Sequence, residues 1–202
     1  MTNRLIRLIL TCIALASASI TQSAQVSEMA PCAPNAAPQT STLESFLIVH
    51  VVCSDVLLEI PVAMLGRSIL LYTEFAALST GGSEYAPGSA VDSRVVSWLR
   101  VGSKVALMTS NFESWAGESS ALQQGVDAVS LPTVIAIYDV VKEGAGGAPI
   151  INITPLFTTN SPIGFALEFK RHYRMAHVDG QRSLVRNVRA FPKNIAIGFY
   201  QT

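Results

Sequence analysis

The hydrophobic pattern is clearest over residues 94–109, where two apolar runs flank the pair Gly102-Ser103. A two-residue loop that begins with Gly is typical of a type II′ turn between antiparallel strands. Both faces of the predicted hairpin carry apolar side chains, so we expect the hairpin to be covered on both sides. The predicted cross-strand pairs are Val101 with Lys104, Arg100 with Val105, Leu99 with Ala106, Trp98 with Leu107 and Ser97 with Met108.

Apolar runs separated by turn residues continue through most of the chain. Turn signals occur at Ser54-Asp55, in the Gly-rich run after Glu143 and at Asp179-Gly180. Only residues 118–130 show apolar positions at helical spacing. The pattern predicts a mainly β domain of antiparallel hairpins that form twisted packed sheets, with at most one or two short helices. Besides the central hairpin, the predicted strands are 46–52, 56–60, 68–78, 133–141, 150–154, 164–177, 181–188 and 195–200.

The first 24 residues have the pattern of a secretory signal peptide. Arg4 and Arg7 precede a short apolar run at residues 8–16, and small residues at 16–18 and 23–24 offer two cleavage sites. The apolar run is shorter than the roughly 18 to 20 residues that a membrane span requires. We therefore predict an exported protein, periplasmic or secreted, with no stable membrane span after cleavage.

Residues 25–43 are small and polar and contain Pro31, Pro34 and Pro38, which is typical of a linker. The remaining residues, 44–202, are predicted to form a single β-rich domain. The chain has 202 residues, 50% of them hydrophobic, which is enough for one domain with a sizeable core.

The charge content argues against nucleic acid as a partner, since 14 Lys and Arg balance 14 Asp and Glu. Only 14% of residues are charged, against about 25% in an average globular protein. Two interpretations fit this low value. The protein either lies against something larger or is a secreted β domain with Ser and Thr in place of charges.

Two of the three cysteines, Cys32 and Cys53, remain once a signal peptide carrying Cys12 is removed. A disulfide between them would close a loop of about twenty residues and stabilise the fold by about 3 kcal/mol. We favour the alternative of two unrelated thiols. A redox or zinc site is not expected, because the chain has no C-x-x-C pair.

The residues that usually carry catalysis are sparse, and we assign no catalytic, cofactor-binding or metal-binding residue and no cofactor. His172 and His177 lie five positions apart in a predicted strand, which places them on opposite faces. A two-His metal site assisted by Glu168 would lack a third ligand. We interpret His50 as a strand residue rather than a ligand.

Positive charge is concentrated in the last third of the chain, where it could bind an anionic ligand or an acidic partner surface. The alternative is a solvated strand face. The residues concerned are Arg171, Arg174, Arg182, Arg186 and Arg189.

A series of short motifs carries a family resemblance from Phe46 to the C-terminus. These motifs are Ile48-Val49-His50, Leu57-Leu58-Glu59-Ile60-Pro61, Leu65-Gly66-Arg67, Arg94-Val95-Val96, Arg100-Val101-Gly102-Ser103-Lys104-Val105, Asn152-Ile153-Thr154-Pro155-Leu156-Phe157, Asp179-Gly180-Gln181-Arg182-Ser183 and Ala190-Phe191-Pro192-Lys193-Asn194. In order and spacing, they resemble the N-terminal domain of unknown function of large secreted bacterial zinc-dependent, metzincin-like metalloproteases.

The resemblance implies a non-catalytic accessory domain that supports, positions or shields a metalloprotease catalytic domain, in cis or in trans. Members of that family carry H-E-x-x-H far downstream, and this chain has no such motif, so we do not expect the chain alone to be an enzyme. Asn152 replaces an expected Asp, and Cys53-Ser54 replaces a usual Gly and Asp. The chain is then a fragment or a short relative of such a protease. The alternative is an independent binding module for an anionic ligand or peptide.

We expect protein recovered from an exporting host to lack the N-terminal signal, because Arg4 and Arg7 precede a short apolar run. Intact-mass measurement of the soluble fraction checks this. Recovery of the full 21.6 kDa chain in the membrane fraction would contradict it.

Overall fold

The computed structural model describes residues 24–29, 40–77, 86–109, 132–161 and 177–202. These residues form eleven strands, one short α-helix, α1, and two turns of 3₁₀ helix at Val62–Met64 and Ala145–Gly147. The helix α1 is Thr154–Thr158. The strands are β1 (Gln25–Glu28), β2 (Thr40–Glu44), β3 (Ile48–Val52), β4 (Asp55–Glu59), β5 (Ile69–Glu74), β6 (Ala90–Val101), β7 (Lys104–Thr109), β8 (Thr133–Glu143), β9 (Pro149–Asn152), β10 (Leu184–Phe191) and β11 (Asn194–Tyr200).

Eight strands form one curled antiparallel sheet in the order β2-β3-β4-β9-β8-β7-β6-β5. The other three form a smaller antiparallel sheet in the order β1-β10-β11. The predicted mainly β class is therefore confirmed. No helix in the described parts of the chain is both long enough and apolar enough to cross a membrane.

The core lies between the two sheets, because each sheet buries one apolar face against the other. Val188 and Ala190 of β10 belong to the same buried cluster as Val49 of β3 and Trp98 of β6. Helix α1 closes this layer through Leu156 and Phe157, and the Phe157 ring lies 5.2 Å from that of Phe199 on β11. The order of strands therefore places one face of the large sheet inside and leaves the other outside.

The central hairpin has the predicted register. All five predicted pairs occur, from Val101 opposite Lys104 to Ser97 opposite Met108. Gly102 adopts a positive φ of 59°, which the first position of a type II′ turn requires. Glycine adopts this conformation at little energetic cost because it has no Cβ. The sequence pattern was sufficient to predict these pairs, because a two-residue loop allows only one register of the two strands.

The prediction that this hairpin is covered on both sides is wrong. Trp98, Val105 and Leu107 face the core and are buried. On the opposite face, Leu99 and Val101 remain 48% and 63% exposed. Among the described residues, the smaller sheet packs on one side of the large sheet, and no second layer covers the outward apolar side chains of the hairpin.

Two parts of the predicted linker at residues 25–43 are strands in the structure. Gln25–Glu28 forms β1, an edge strand paired with β10. Residues 40–44 form β2, which pairs with β3 and buries Leu43. These short polar strands lack a strong apolar pattern because only one or two of their side chains face the core. Residues 30–39 lie outside the described residues.

The first hairpin turns at Cys53-Ser54, one residue before the predicted pair Ser54-Asp55, since Asp55 pairs with Val52. Cys53 has a φ of 56°, a left-handed conformation that is uncommon for a residue with a side chain. Cys53 is disulfide-bonded, which contradicts the favoured interpretation of two unrelated thiols. The other two cysteines lie outside the described residues.

Several expectations fall on residues that the structure does not describe. These are the signal peptide, the helix at 118–130 and most of the strand at 164–177. Only the first part of the predicted strand at 150–154 is a strand in the structure. β9 ends at Asn152, and α1 begins at Thr154. The Asn152 side-chain oxygen accepts a hydrogen bond from the Thr154 N–H at 2.9 Å, which stabilises this change of direction.

Tyr138 on β8 lies in the core beside Trp98, with 6.1 Å between the ring centroids. Its hydroxyl is buried and has no hydrogen-bond partner among the described residues. Burial raises the pKa of this phenol well above its ordinary value, because the charged form is poorly solvated there. The side chain therefore acts as an apolar core residue rather than as an acid.

Replacing Trp98 with Ala should lower the free energy of unfolding by about 3 to 5 kcal/mol, because the ring is buried in the core. Denaturant unfolding measures this loss. Leu99→Ala on the opposite face of the same strand is the matched control and should cost less than about 1 kcal/mol. Equal losses at the two positions would mean that the faces are assigned wrongly.

Candidate functional site

Of the residues weighed from sequence as metal ligands, the structure describes His50, on β3, and His177. His177 is exposed near the start of the last described segment. His172 and Glu168 lie outside the described residues. Within the parts of the chain that the structure describes, no three His, Cys, Asp or Glu side chains are grouped closely enough to hold a metal ion.

A polar chain crosses the outer face of β2, β3 and β4. The Thr42 hydroxyl lies 3.0 Å from His50 Nδ1, and His50 Nε2 lies 2.8 Å from Glu59 Oε2. Thr42 is directly opposite His50 in the sheet, while Glu59 is one diagonal step further on β4. Sequence reasoning placed His50 on a strand but missed both partners, because the contacts depend on register across two pairs of strands.

Glu59 is the buried end of this chain, with 6% of its surface exposed. Its second carboxylate oxygen accepts the Ala145 N–H at 3.2 Å. A Cβ added at Gly144 would overlap this carboxylate, so Gly144 permits the loop between β8 and β9 to approach it. A buried carboxylate needs such partners, since an unpaired one is costly. Contacts with His50 and with the loop therefore both hold the Glu59 carboxylate in place.

A hydroxyl, an imidazole and a carboxylate in this order also occur in sites with a hydroxyl nucleophile. Thr42 is an exposed residue of a regular strand pair rather than a residue presented at a turn or cleft. We therefore interpret the chain Thr42–His50–Glu59 as cross-strand support that fastens the β8–β9 loop.

Arg100, on β6, also holds the loop between β8 and β9 in place. Its guanidinium donates to both carboxylate oxygens of Glu143, at 2.5 and 3.1 Å, and to the carbonyl of Gly147 at 3.1 Å. These hydrogen bonds hold the pKa of Glu143 below its ordinary value and raise that of Arg100. The Glu143 contribution to stability is therefore present at neutral pH and is lost as pH falls through the lowered pKa.

Several exposed apolar side chains lie on the outer face of strands β5 to β8, which we call the outer apolar face. Directly opposed residues share a face, so the pairs Leu70 with Val95 and Leu99 with Ala106 place these strands in one surface. The ion pair between Lys104 and Asp139 lies on the same face. The exposed large side chains of this face are Leu70, Tyr72, Leu99, Val101, Val134 and Ile137.

Contiguous apolar surface of this kind is typical of interaction sites. Its members come from β5, β6 and β8, and only the strand order β8-β7-β6-β5 brings them together. Sequence analysis detected the apolar outward positions of the hairpin but expected them to be covered.

The C-terminal arginines differ in their surroundings in the structure. Arg182 bonds to Asp179 at 2.6 Å, and this bond lowers the pKa of Asp179. Arg186 lies at a bulge of β10, and Arg189 lies further along that strand; both are exposed, without an ion pair among the described residues. Arg171 and Arg174 lie outside the described residues.

The sequence model of one protein family matches residues 88–202, and this family is described as a domain of unknown function, DUF5117. No curated protein and no solved structure matches the chain. The matched region begins just before β6, yet β2, β3 and β4 complete the same sheet through the pairing of β4 with β9. The structural unit therefore includes strands that precede the matched residues.

Replacing Gly144 with Ala should destabilise the fold by about 1 to 3 kcal/mol, because the new Cβ would displace the Glu59 carboxylate. The Gly144 φ of −92° suits Ala, so backbone strain adds nothing. Denaturant unfolding measures the loss.

The matched control is the same change in a Glu59→Ala background, where nothing remains to be displaced. There we expect Gly144→Ala to add less than about 0.5 kcal/mol. Equal losses in both backgrounds would show that Gly144 and Glu59 do not interact.

Proposed function

Starting from the finding that the chain belongs to the DUF5117 family, we propose that it is a non-catalytic accessory domain that docks on a larger partner through its outer apolar face. The observation that carries this proposal is the exposure of Leu99, Val101 and Ile137 on the outer face of the large sheet. A soluble domain rarely leaves such a surface uncovered, and burying it on a partner is favourable.

The proposed partner is a zinc-dependent metalloprotease catalytic domain, in cis or in trans. This follows from the resemblance of the motifs between Ile48 and Asn194 to the N-terminal domain of secreted bacterial metalloproteases. The low charge content of 14% fits a domain that lies against something larger. In this proposal the protein is exported, and the partner supplies the zinc and the peptidase chemistry.

The test is co-purification with the H-E-x-x-H protein encoded beside or downstream of this sequence in the source genome. A Leu99→Asp, Ile137→Asp variant should bind at least about tenfold more weakly, because two carboxylates are then buried in an apolar contact. We expect elemental analysis to find zinc in the partner only.

The matched control is Leu184→Asp, which alters a side chain of similar exposure, 50%, on the small sheet. This variant should bind as tightly as the unchanged chain. Equal binding by all variants would contradict the outer apolar face as the docking surface. Binding that never occurs would contradict the metalloprotease partner.

A second candidate function is an independent binding module for an anionic ligand or peptide. Arg186 and Arg189 on β10 favour it, because both are exposed and have no ion pair among the described residues. Replacing both with Gln should lower the salt concentration that elutes the chain from heparin. Lys104→Gln with Lys142→Gln removes the same charge elsewhere and should have a smaller effect; equal shifts would contradict a specific site.

A further inference from the structure

The two edges of the eight-stranded sheet differ. At one edge, β2 is covered: the Glu44 N–H donates to Gln25 Oε1 at 2.8 Å, and the Ser41 and Ser27 hydroxyls lie 2.6 Å apart. At the other edge, β5 pairs with β6 and has no further strand beside it among the described residues. Its sequence, ILLYTE, contains no proline or lysine, the residues that commonly protect an edge.

The register shows which backbone groups of β6 point toward β5. A two-residue loop at Gly102-Ser103 makes Val101 and Lys104 a hydrogen-bonded pair, so alternate residues from Val101 direct their backbone groups to β7. The residues between them direct theirs to β5. One hydrogen bond supports this assignment: the Trp98 carbonyl accepts the N–H of Gly66, which lies just before β5, at 2.8 Å.

The same alternation determines which backbone N–H and C=O groups of β5 point away from β6. Ile69 and Leu71 lie opposite Val96 and Arg94, so their N–H and C=O groups bond to β6. Leu70 and Tyr72 then direct their N–H and C=O groups away from the sheet. Their side chains are also 66% and 51% exposed. The edge therefore offers both backbone hydrogen bonds and apolar contacts.

We propose that two copies of the chain pair antiparallel through their β5 strands, with Leu70 of each copy opposite Tyr72 of the other. This register pairs two residues whose backbone groups are open and whose side chains share the outer face. It also places Leu71 opposite its own copy, on a two-fold axis that closes the assembly at a dimer.

The charges at the two ends of β5 complement this arrangement. Arg67 precedes the strand and Glu74 ends it, and both are exposed. Arg67 donates to the Ala63 carbonyl of its own chain at 3.2 Å, and Glu74 has no ion pair among the described residues. Antiparallel pairing brings Glu74 of each copy near Arg67 of the other, whereas parallel pairing would place like charges together.

The dimer joins two outer apolar faces into one continuous surface. The pairing uses the backbone edge of β5, while the proposed partner is expected to cover the middle of the sheet. The inference therefore goes beyond the proposed function and stands or fails separately from it.

Sedimentation velocity of the mature chain over a wide concentration range tests the proposal, with a concentration-dependent dimer expected. Leu70→Pro should abolish the dimer, since proline removes an N–H that points outward and breaks no bond to β6. Leu99→Lys is the matched control, because it changes a similarly apolar outer side chain away from the edge and should leave the dimer intact. A monomer at all concentrations, or a dimer lost in Leu99→Lys but kept in Leu70→Pro, would overturn the proposal.

A charge swap tests the same register without proline. Glu74→Arg and Arg67→Glu should each weaken the dimer at low salt, and the double variant should restore it. Failure of the double variant to restore the dimer would overturn the antiparallel arrangement.

Cross-linking provides a direct measurement. Leu71→Cys should form an intermolecular disulfide on a non-reducing gel, because opposed Cα atoms of a non-hydrogen-bonded pair lie about 4.5 Å apart. Thr73→Cys, which would face Ile69 of the other copy, should not. The reverse result would show that the register is wrong.

Discussion

The pairing of β4 with β9 is the interaction on which the rest of the structure depends. It joins the strands before residue 60 to the strands after residue 132, with Leu58 opposite Ile151 and Ile151 opposite Val140. Leu58 and Ile151 are buried in the layer that the smaller sheet covers. Without this contact, the large sheet would divide into two parts that could not each bury an inner face.

The same constraint explains why the loop between β8 and β9 is held so firmly. The loop lies over the joint between the two halves of the large sheet. His50 and Glu59 fasten it from β3 and β4, and Arg100 with Glu143 fastens it from β6 and β8. We interpret these polar residues as supports that hold the loop in place, and their contribution is local order.

Within the parts of the chain that the structure describes, the large sheet is covered on one side only. The smaller sheet and α1 bury the inner layer, but nothing in the described parts of the chain forms a second layer over Leu99, Val101 and Ile137. These outward side chains form the outer apolar face on which the proposed function rests. The proposed docking on a partner and the proposed edge pairing through β5 would use neighbouring surfaces, the first through side chains and the second through backbone groups.

The sequence by itself determined the β class, most of the strands and the register of the central hairpin, because alternation and a two-residue loop at Gly102-Ser103 are local features. It did not reveal β1 and β2, whose few inward side chains leave almost no apolar pattern. Only the tertiary structure decided that Glu59 meets His50 and that Leu99 stays outside, since both depend on which strands become neighbours. Strand order is set by contacts between distant segments, and a local pattern contains no information about which of its two apolar faces will be covered.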